Sequence, residues 1–242
     1  MSDEIRDQLA PTGVLRAGIN MANKLLVTGA TPSGDPDGVG PEFARHIADG
    51  LGVPVSYVQF PTPGELADAV TENVWDIGLI GAEPTRAEKI AFTAAYVEIE
   101  ATYLVPEGSP LNTIEDVDAE GVRIAVSGRS AYDLYLSRSL KHAELHRAQG
   151  LPGALELFMA EKMDALAGLR PALTGDLDKV PGGRILDGQF TAVQQAVGTA
   201  RTKPEAAAYL SDVVEDAKAS GLIARLIKKH KVVGRLSVAG PA

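Results

Sequence analysis

The stretch PEFARHIADGLGVPVSYVQF, residues 41–60, decides the fold because it contains two periodicities in one run. Phe43, Ile47 and Leu51 recur at helical spacing, with a proline in the first turn and a glycine after the last. Residues 55–60 are β-branched and aromatic, which is typical of a strand. A helix that leads directly into a strand predicts a βαβ unit and a parallel sheet.

The same alternation extends outward in both directions. The sequence predicts strands at 14–20, 76–81, 122–128 and 164–170, and helices at 62–74, 130–145 and 151–163. A Pro/Gly-rich break at 106–110 separates two α/β runs, and a second extended segment follows near 190. In the simplest topology, the chain begins in a first lobe, crosses to form a second lobe and then returns to complete the first. Lobe 1 would comprise residues 1–105 and 193–242, and lobe 2 residues 106–192, with two strands as a hinge and the ligand cleft between the lobes.

Composition limits the classes of function. The chain has 242 residues and a net charge of −9, so nucleic-acid binding is disfavoured. It has no cysteine, which excludes disulfides, thiolate zinc sites, iron–sulfur clusters and cysteine nucleophiles. No apolar run approaches the length of a membrane helix. We therefore expect a monomer with no cofactor, no metal and no membrane insertion.

The first residues, MSDEIRDQLA, are acidic and polar, unlike a secretory signal. Taken literally, they predict a cytoplasmic protein; a trimmed start would instead place it in the periplasm.

Five segments in order resemble bacterial solute-binding protein family 3, the amino-acid type of ABC-transporter receptor. They are DGVGPEFARHIADGLGVPVSYV, AVTENVWDIGLIG, TRAEKIAFTAAYVEIEATYLV, PLNTIEDVDAEGVRIAVSGRSAYDLYL and EKMDALAGLRPAL. The resemblance covers nearly all of the chain. It implies an α/β, two-lobed periplasmic-binding-protein-like type II fold.

The resemblance also implies ligand-binding residues. Arg86, after the third strand, matches the family's arginine that holds the ligand carboxylate, for which a planar guanidinium is well suited. The helix start in VSGRSAYD matches a second carboxylate-binding element built from backbone N–H groups. The full candidate set is Asn20, Glu83, Thr85, Arg86, Tyr96, Glu100, Arg129, Ser130, Ala131 and Arg170.

One departure bears on the ligand. Amino-acid receptors place an aspartate two residues before the proline of EKMDALAGLRPAL, and this chain has Leu169 there, followed by Arg170. A plain α-amino acid should therefore bind poorly unless Glu83 or Glu100 replaces the missing charge. Three arginines near one cleft favour a ligand with two or more acidic groups.

Three functions remain open at this stage. The first is an ABC-type substrate-binding protein that closes on a small carboxylate and serves a permease. The second is a cytoplasmic lyase that resembles cyclohexadienyl dehydratase, with Glu83 and Glu100 as acid or base. The third, a LysR-type effector domain, comes last because no helix-turn-helix precedes it. His142 and His146, expected on one helix face, have no evident third metal ligand.

Overall fold

The computed structural model describes residues 3–242 and divides into two compact units. Unit 1 comprises residues 3–98 and 194–242, and unit 2 comprises residues 99–193. Two strands, β6 and β11 below, run from one unit into the other.

The strands, in chain order, are β1 (Leu15–Asn20), β2 (Gly29–Ala30), β3 (Pro36–Asp37), β4 (Val55–Phe60), β5 (Ile77–Gly81), β6 (Ile90–Val105), β7 (Arg123–Ser127), β8 (Glu144–Ala148), β9 (Ala165–Leu169), β10 (Arg184–Ile185), β11 (Thr191–Ala200) and β12 (Ser237–Val238). The helices are α1 (Asp3–Leu9), α2 (Val39–Leu51), α3 (Pro63–Asp68), α4 (Pro84–Ala87), α5 (Ala131–Ser139), α6 (Gly150–Ala160), α7 (Arg170–Asp176), α8 (Pro204–Ala219) and α9 (Leu222–Lys229).

In unit 1 the strands lie in the order β4-β1-β5-β11. The first three are parallel, and β11 joins them antiparallel with Gln195 opposite Gly81. Because three strands run the same way, the carboxyl ends of β1 and β5 meet at one edge of the sheet. That edge positions most of the unit 1 candidates.

Close packing around two glycines fixes parts of unit 1. Gly38 has φ 149, and a Cβ there would collide with the carbonyl of Leu26. Gly198 on β11 faces Ile90 and Phe92, and its Cβ would lie 3.1 Å from the Phe92 ring. Any side chain at either position would force the backbone or its neighbours to move.

A buried charge network closes the opposite, amino-terminal edge of the unit 1 sheet. Asp76 is fully buried and accepts hydrogen bonds from Arg16 Nε at 2.9 Å and Nη2 at 2.8 Å. Lys203 Nζ lies 3.3 Å from the same carboxylate. Burial of a charge is tolerated when opposite charges and hydrogen bonds compensate it, as they do here.

Unit 2 has the strand order β6-β9-β7-β8, in which β7 is parallel to both β8 and β9. Asp164, just before β9, accepts the backbone N–H of Arg123 at 2.8 Å and lies 3.5 Å from its Nε. The arrangement resembles that of Asp76 and Arg16. Here, however, about two fifths of the surface of each side chain, Arg123 and Asp164, is exposed.

The helix expected at 130–145 is too long. Helix α5 ends at Ser139, and residues 144–148 form strand β8 instead. The cause is Asp118, whose carboxylate accepts N–H groups from Lys141, His142 and Ala143 at 2.8 to 3.1 Å. These bonds hold the chain out of the helix, so the expected His142–His146 helix face does not exist.

Trp75 packs in the core of unit 1 and donates its indole N–H to Leu66 O at 3.1 Å. Across residues 3–242, none of the helices combines the length and apolar character needed to cross a membrane.

Candidate functional site

A small cavity lies at the carboxyl edge of the unit 1 sheet. Its lining includes Asn20 at the end of β1, Tyr96 on β6 and the buried Gln195 on β11. Its volume of about 10 Å³ is enough for one water molecule. The structure therefore brings two predicted residues, Asn20 and Tyr96, to one small cavity whose lining is mostly apolar.

Tyr96 contributes a buried hydroxyl to this region. The side chain is fully buried and its ring lies 5.1 Å from that of Phe43. Desolvation raises the pKa of its hydroxyl. That hydroxyl has no hydrogen-bond partner among the described residues, which is costly unless a water or ligand supplies one.

The asparagines of the 20–23 turn have local roles. Asn20 Oδ1 accepts the N–H of Ala22 at 3.1 Å, and Asn23 Oδ1 accepts that of Leu25 at 3.1 Å. These contacts are typical of asparagine in turns. They fix both side chains at the cavity wall.

Arg86 follows β5 on the four-residue helix α4. Its side chain is buried, with 6% of the residue exposed, and Nη1 donates to Gly81 O at 2.8 Å. Gly81 is the last residue of β5 and lies opposite Gln195. The guanidinium is therefore anchored at the carboxyl end of β5, where the sequence placed it.

Glu83 and Thr85 flank Arg86. Glu83 is the residue before α4 and is 9% exposed. Thr85 lies on the first turn and is exposed.

In unit 2, the start of α5 contains the second predicted group. Ser130 caps the helix, and its Oγ accepts the N–H of Asp133 at 3.1 Å. Burial raises the pKa of Tyr132 to about 12, although side-chain hydrogen bonds with Ser130 and Ser127 oppose the shift. The Ser130 hydroxyl is therefore engaged in capping, and Ala131, the first helical residue, is largely buried behind it.

A carboxylate of the chain itself lies beside this helix start. Asp133 is 2% exposed and accepts the backbone N–H of Arg129 at 2.7 Å. Arg147 Nε lies 3.0 Å from the same carboxylate and balances its charge. Arg129 has a left-handed φ of 62, and its side chain is exposed.

Arg170 and Glu100 form a pair within unit 2. Arg170 Nε donates to Glu100 Oε2 at 2.6 Å, and its Nη2 donates to the carbonyls of Leu186 and Gly188. Glu100 is 57% exposed at its side chain. Arg170 thus fastens the 186–188 segment and has a partner carboxylate, rather than acting as an uncompensated cation.

Gln195 is the cavity residue that sequence reasoning missed. The available signal was the pair of adjacent glutamines in the apolar run TAVQQAVG. An amide side chain is rare in a buried strand because it needs hydrogen-bond partners there.

Comparison with known proteins identifies the family. Residues 15–232 match the model of the bacterial extracellular solute-binding proteins, family 3. The chain belongs to this family. A search of curated proteins finds no match.

Solved structures resemble the chain in fold at low identity. The cysteine-binding protein of Campylobacter jejuni aligns with a TM-score of 0.77 at 15% identity, covering 99% of this chain and 100% of that one. A mutant of ArgBP from T. maritima aligns with a TM-score of 0.74 at 20% identity, covering 95% and 99%.

A third structure is the ancestral amino-acid-binding protein AncCDT-1, a precursor of cyclohexadienyl dehydratase. It aligns with a TM-score of 0.74 at 21% identity, covering 94% of this chain and 99% of that one. The α/β periplasmic-binding-protein-like fold expected from the sequence is confirmed, as is the family resemblance.

Proposed function

We propose that this solute-binding protein binds a small solute that carries a carboxylate group, either amino-acid-like or a di-acid. The observation that carries the proposal is Arg86, a buried arginine anchored by Gly81 at the carboxyl end of β5. The Gly81 contact fixes the plane of the guanidinium, and a planar fork of N–H donors matches the geometry of a carboxylate.

Neutral polar residues at the same edge of the unit 1 sheet as Arg86 support a polar ligand. Gln195 lies opposite Gly81, and it lines the same water-sized cavity as Asn20 and Tyr96. Amide and hydroxyl groups can orient a ligand without fixing its charge. We propose that Arg86 supplies the charge and that these groups supply orientation.

Unit 2 bears on the choice between amino-acid-like and di-acid ligands. We propose a role for the α5 start through Ser130 and Ala131, with Arg129 nearby. Arg170 is paired with Glu100, and this pairing weakens the argument from three arginines for a second acidic group. The structural relatives named for cysteine, arginine and amino-acid binding support the amino-acid-like choice. Delivery to an ABC permease is proposed on the same family basis.

The direct test is calorimetric titration of the purified protein with α-amino acids, di- and tricarboxylates, prephenate and arogenate. Arg86→Ala should weaken binding of the best ligand by roughly 2–5 kcal/mol, since one partner of a desolvated charge pair is removed. That loss corresponds to about 30-fold or more. Arg86→Lys should recover part of it, because lysine keeps the charge and loses the fork.

Arg235→Ala, which removes an exposed arginine of the same unit, is the matched control and should leave the affinity unchanged. Unchanged affinity in Arg86→Ala would refute the assigned role. Binding of uncharged sugars alone would refute the carboxylate class. Conversion of prephenate or arogenate, detected by mass spectrometry, would instead support the lyase, with Glu83 and Glu100 as the groups to substitute next.

A further inference from the structure

Three side chains from two distant parts of the sequence meet in unit 1. Asp37 ends β3, Glu42 lies in the first turn of α2, and His230 directly follows α9. One ligand-capable atom from each lies within 4.8 Å of the other two. A nitrogen and two carboxylate oxygens at such distances can converge on one cation with a small closing movement.

The histidine supplies an independent indication of a ligand. His230 has a side chain only 6% exposed, and its Nε2 is buried without a hydrogen-bond partner among residues 3–242. This nitrogen lies 3.5 Å from Glu42 Oε1. A buried imidazole nitrogen directed at carboxylates, with no hydrogen bond of its own, is an arrangement that a metal ion would satisfy.

The surroundings orient the three groups. His230 Nδ1 lies 3.2 Å from Thr28 Oγ1, a contact that leaves Nε2 as the metal-binding nitrogen when Nδ1 carries the proton. Asp37 Oδ1 accepts the N–H of Gly38 at 3.0 Å. Gly38 cannot hold a side chain because of Leu26, so the backbone that carries Asp37 is tightly fixed.

We propose that Asp37, Glu42 and His230 form a binding site for a borderline divalent transition metal of the Zn²⁺ class. One imidazole and two carboxylates suit Zn²⁺ or Co²⁺ better than Ca²⁺ or Mg²⁺, which prefer oxygen ligands alone. Water completes the coordination. The metal joins the start of α2 to the end of α9 and so ties together the two chain segments that build unit 1.

Lys229 allows a test that distinguishes a metal site from a cluster with only a structural role. Its Nζ pairs with Glu42 Oε1, although 62% of the lysine side chain is exposed. A metal must displace this ammonium, which costs binding free energy. Lys229→Gln should therefore strengthen Zn²⁺ binding several-fold, while His230→Gln should weaken it at least tenfold.

The experiment titrates chelator-treated protein without a histidine tag with ZnCl₂ by calorimetry, and with CoCl₂ by visible absorption. Wild type should bind one ion, and Co²⁺ should give the absorption bands of a nitrogen-coordinated ion. His146→Gln is the matched control, because His146 lies 3.6 Å from Glu144 in unit 2 and should not affect binding.

Asp37→Asn is a second ligand variant, which tests the site even if His230→Gln misfolds. Its asparagine oxygen can still accept the Gly38 N–H. This variant should also weaken Zn²⁺ binding at least tenfold. Equal affinity in wild type, His230→Gln and Asp37→Asn would overturn the proposal. So would a loss of Zn²⁺ affinity in His146→Gln of the same size as that in His230→Gln.

Discussion

Two aspartates in equivalent places allow a controlled measurement of what a buried charge contributes. Asp76 precedes β5 and Asp164 precedes β9, and each accepts the backbone N–H of an arginine at the start of a parallel neighbour strand. They differ in burial, because Asp76 is fully buried and Asp164 is 42% exposed at its side chain. The variants Asp76→Asn and Asp164→Asn compare a buried carboxylate that has two basic partners with an exposed one that has a single partner.

The expected loss is large for Asp76. The substitution leaves Arg16 and Lys203, whose side chains are only 22% and 18% exposed, without their counter-charge. Breaking a buried pair from one side costs about 3–5 kcal/mol. For a chain of this size 1 kcal/mol lowers Tm by roughly 2–4 °C, so Tm should fall by about 6–20 °C. Asp164→Asn should cost less than about 1 kcal/mol, as exposed pairs do.

The assay is urea unfolding followed by two signals. Trp75 is the single tryptophan, lies next to Asp76 and is buried in unit 1, so its fluorescence reports on that unit. Far-UV circular dichroism reports on both units. Asp76→Asn should lower the fluorescence midpoint, and Asp164→Asn should leave it unchanged. Equal losses in the two variants would show that burial does not set the cost.

Two further predictions concern unit packing and acid stability. Gly198→Ala should destabilise unit 1 by about 1–3 kcal/mol because the new methyl group would collide with Ile90, whereas Gly29→Ala, in open space, should have little effect on the same unfolding curve. Desolvation of Asp118 is outweighed by its backbone N–H bonds, which lower its pKa. Asp118 therefore stabilises the fold above the unfolded pKa of about 3.9, and this contribution is lost as the pH falls through the lower folded value. Asp118→Asn should cost about 1 kcal/mol or less at pH 7, because most of these hydrogen bonds are exposed to solvent, and the gap from wild type should close as the pH falls below about 4; a gap that persists in acid would contradict this.

Much of the fold was predictable because it depends on local patterns. The helical stripe of Phe43, Ile47 and Leu51 and the strand at 55–60 both occur where their periodicity indicates. The length of α5 was not predictable, since it is set by Asp118, which precedes the helix in sequence but hydrogen-bonds to the residues after its end. A tertiary hydrogen bond overrode local helix preference there.

In the candidate site, too, some features were predictable from the sequence and others were not. Arg86 is buried at the end of β5, as its position after an apolar strand suggested. The partner of Arg170 could not be read from sequence, because Glu100 lies 70 positions away on β6. Asp37, Glu42 and His230 were missed for the same reason, since only folding brings their segments together.

The discontinuous make-up of unit 1 has a consequence for synthesis on the ribosome. Residues 99–193 emerge as a complete block, so unit 2 has all its strands while unit 1 still lacks β11. Until residue 200 is translated, β5, whose five residues are all buried in the finished protein, keeps an unpaired edge. Such an edge invites association with other nascent chains, so slow elongation before β11 should lower the yield of native protein.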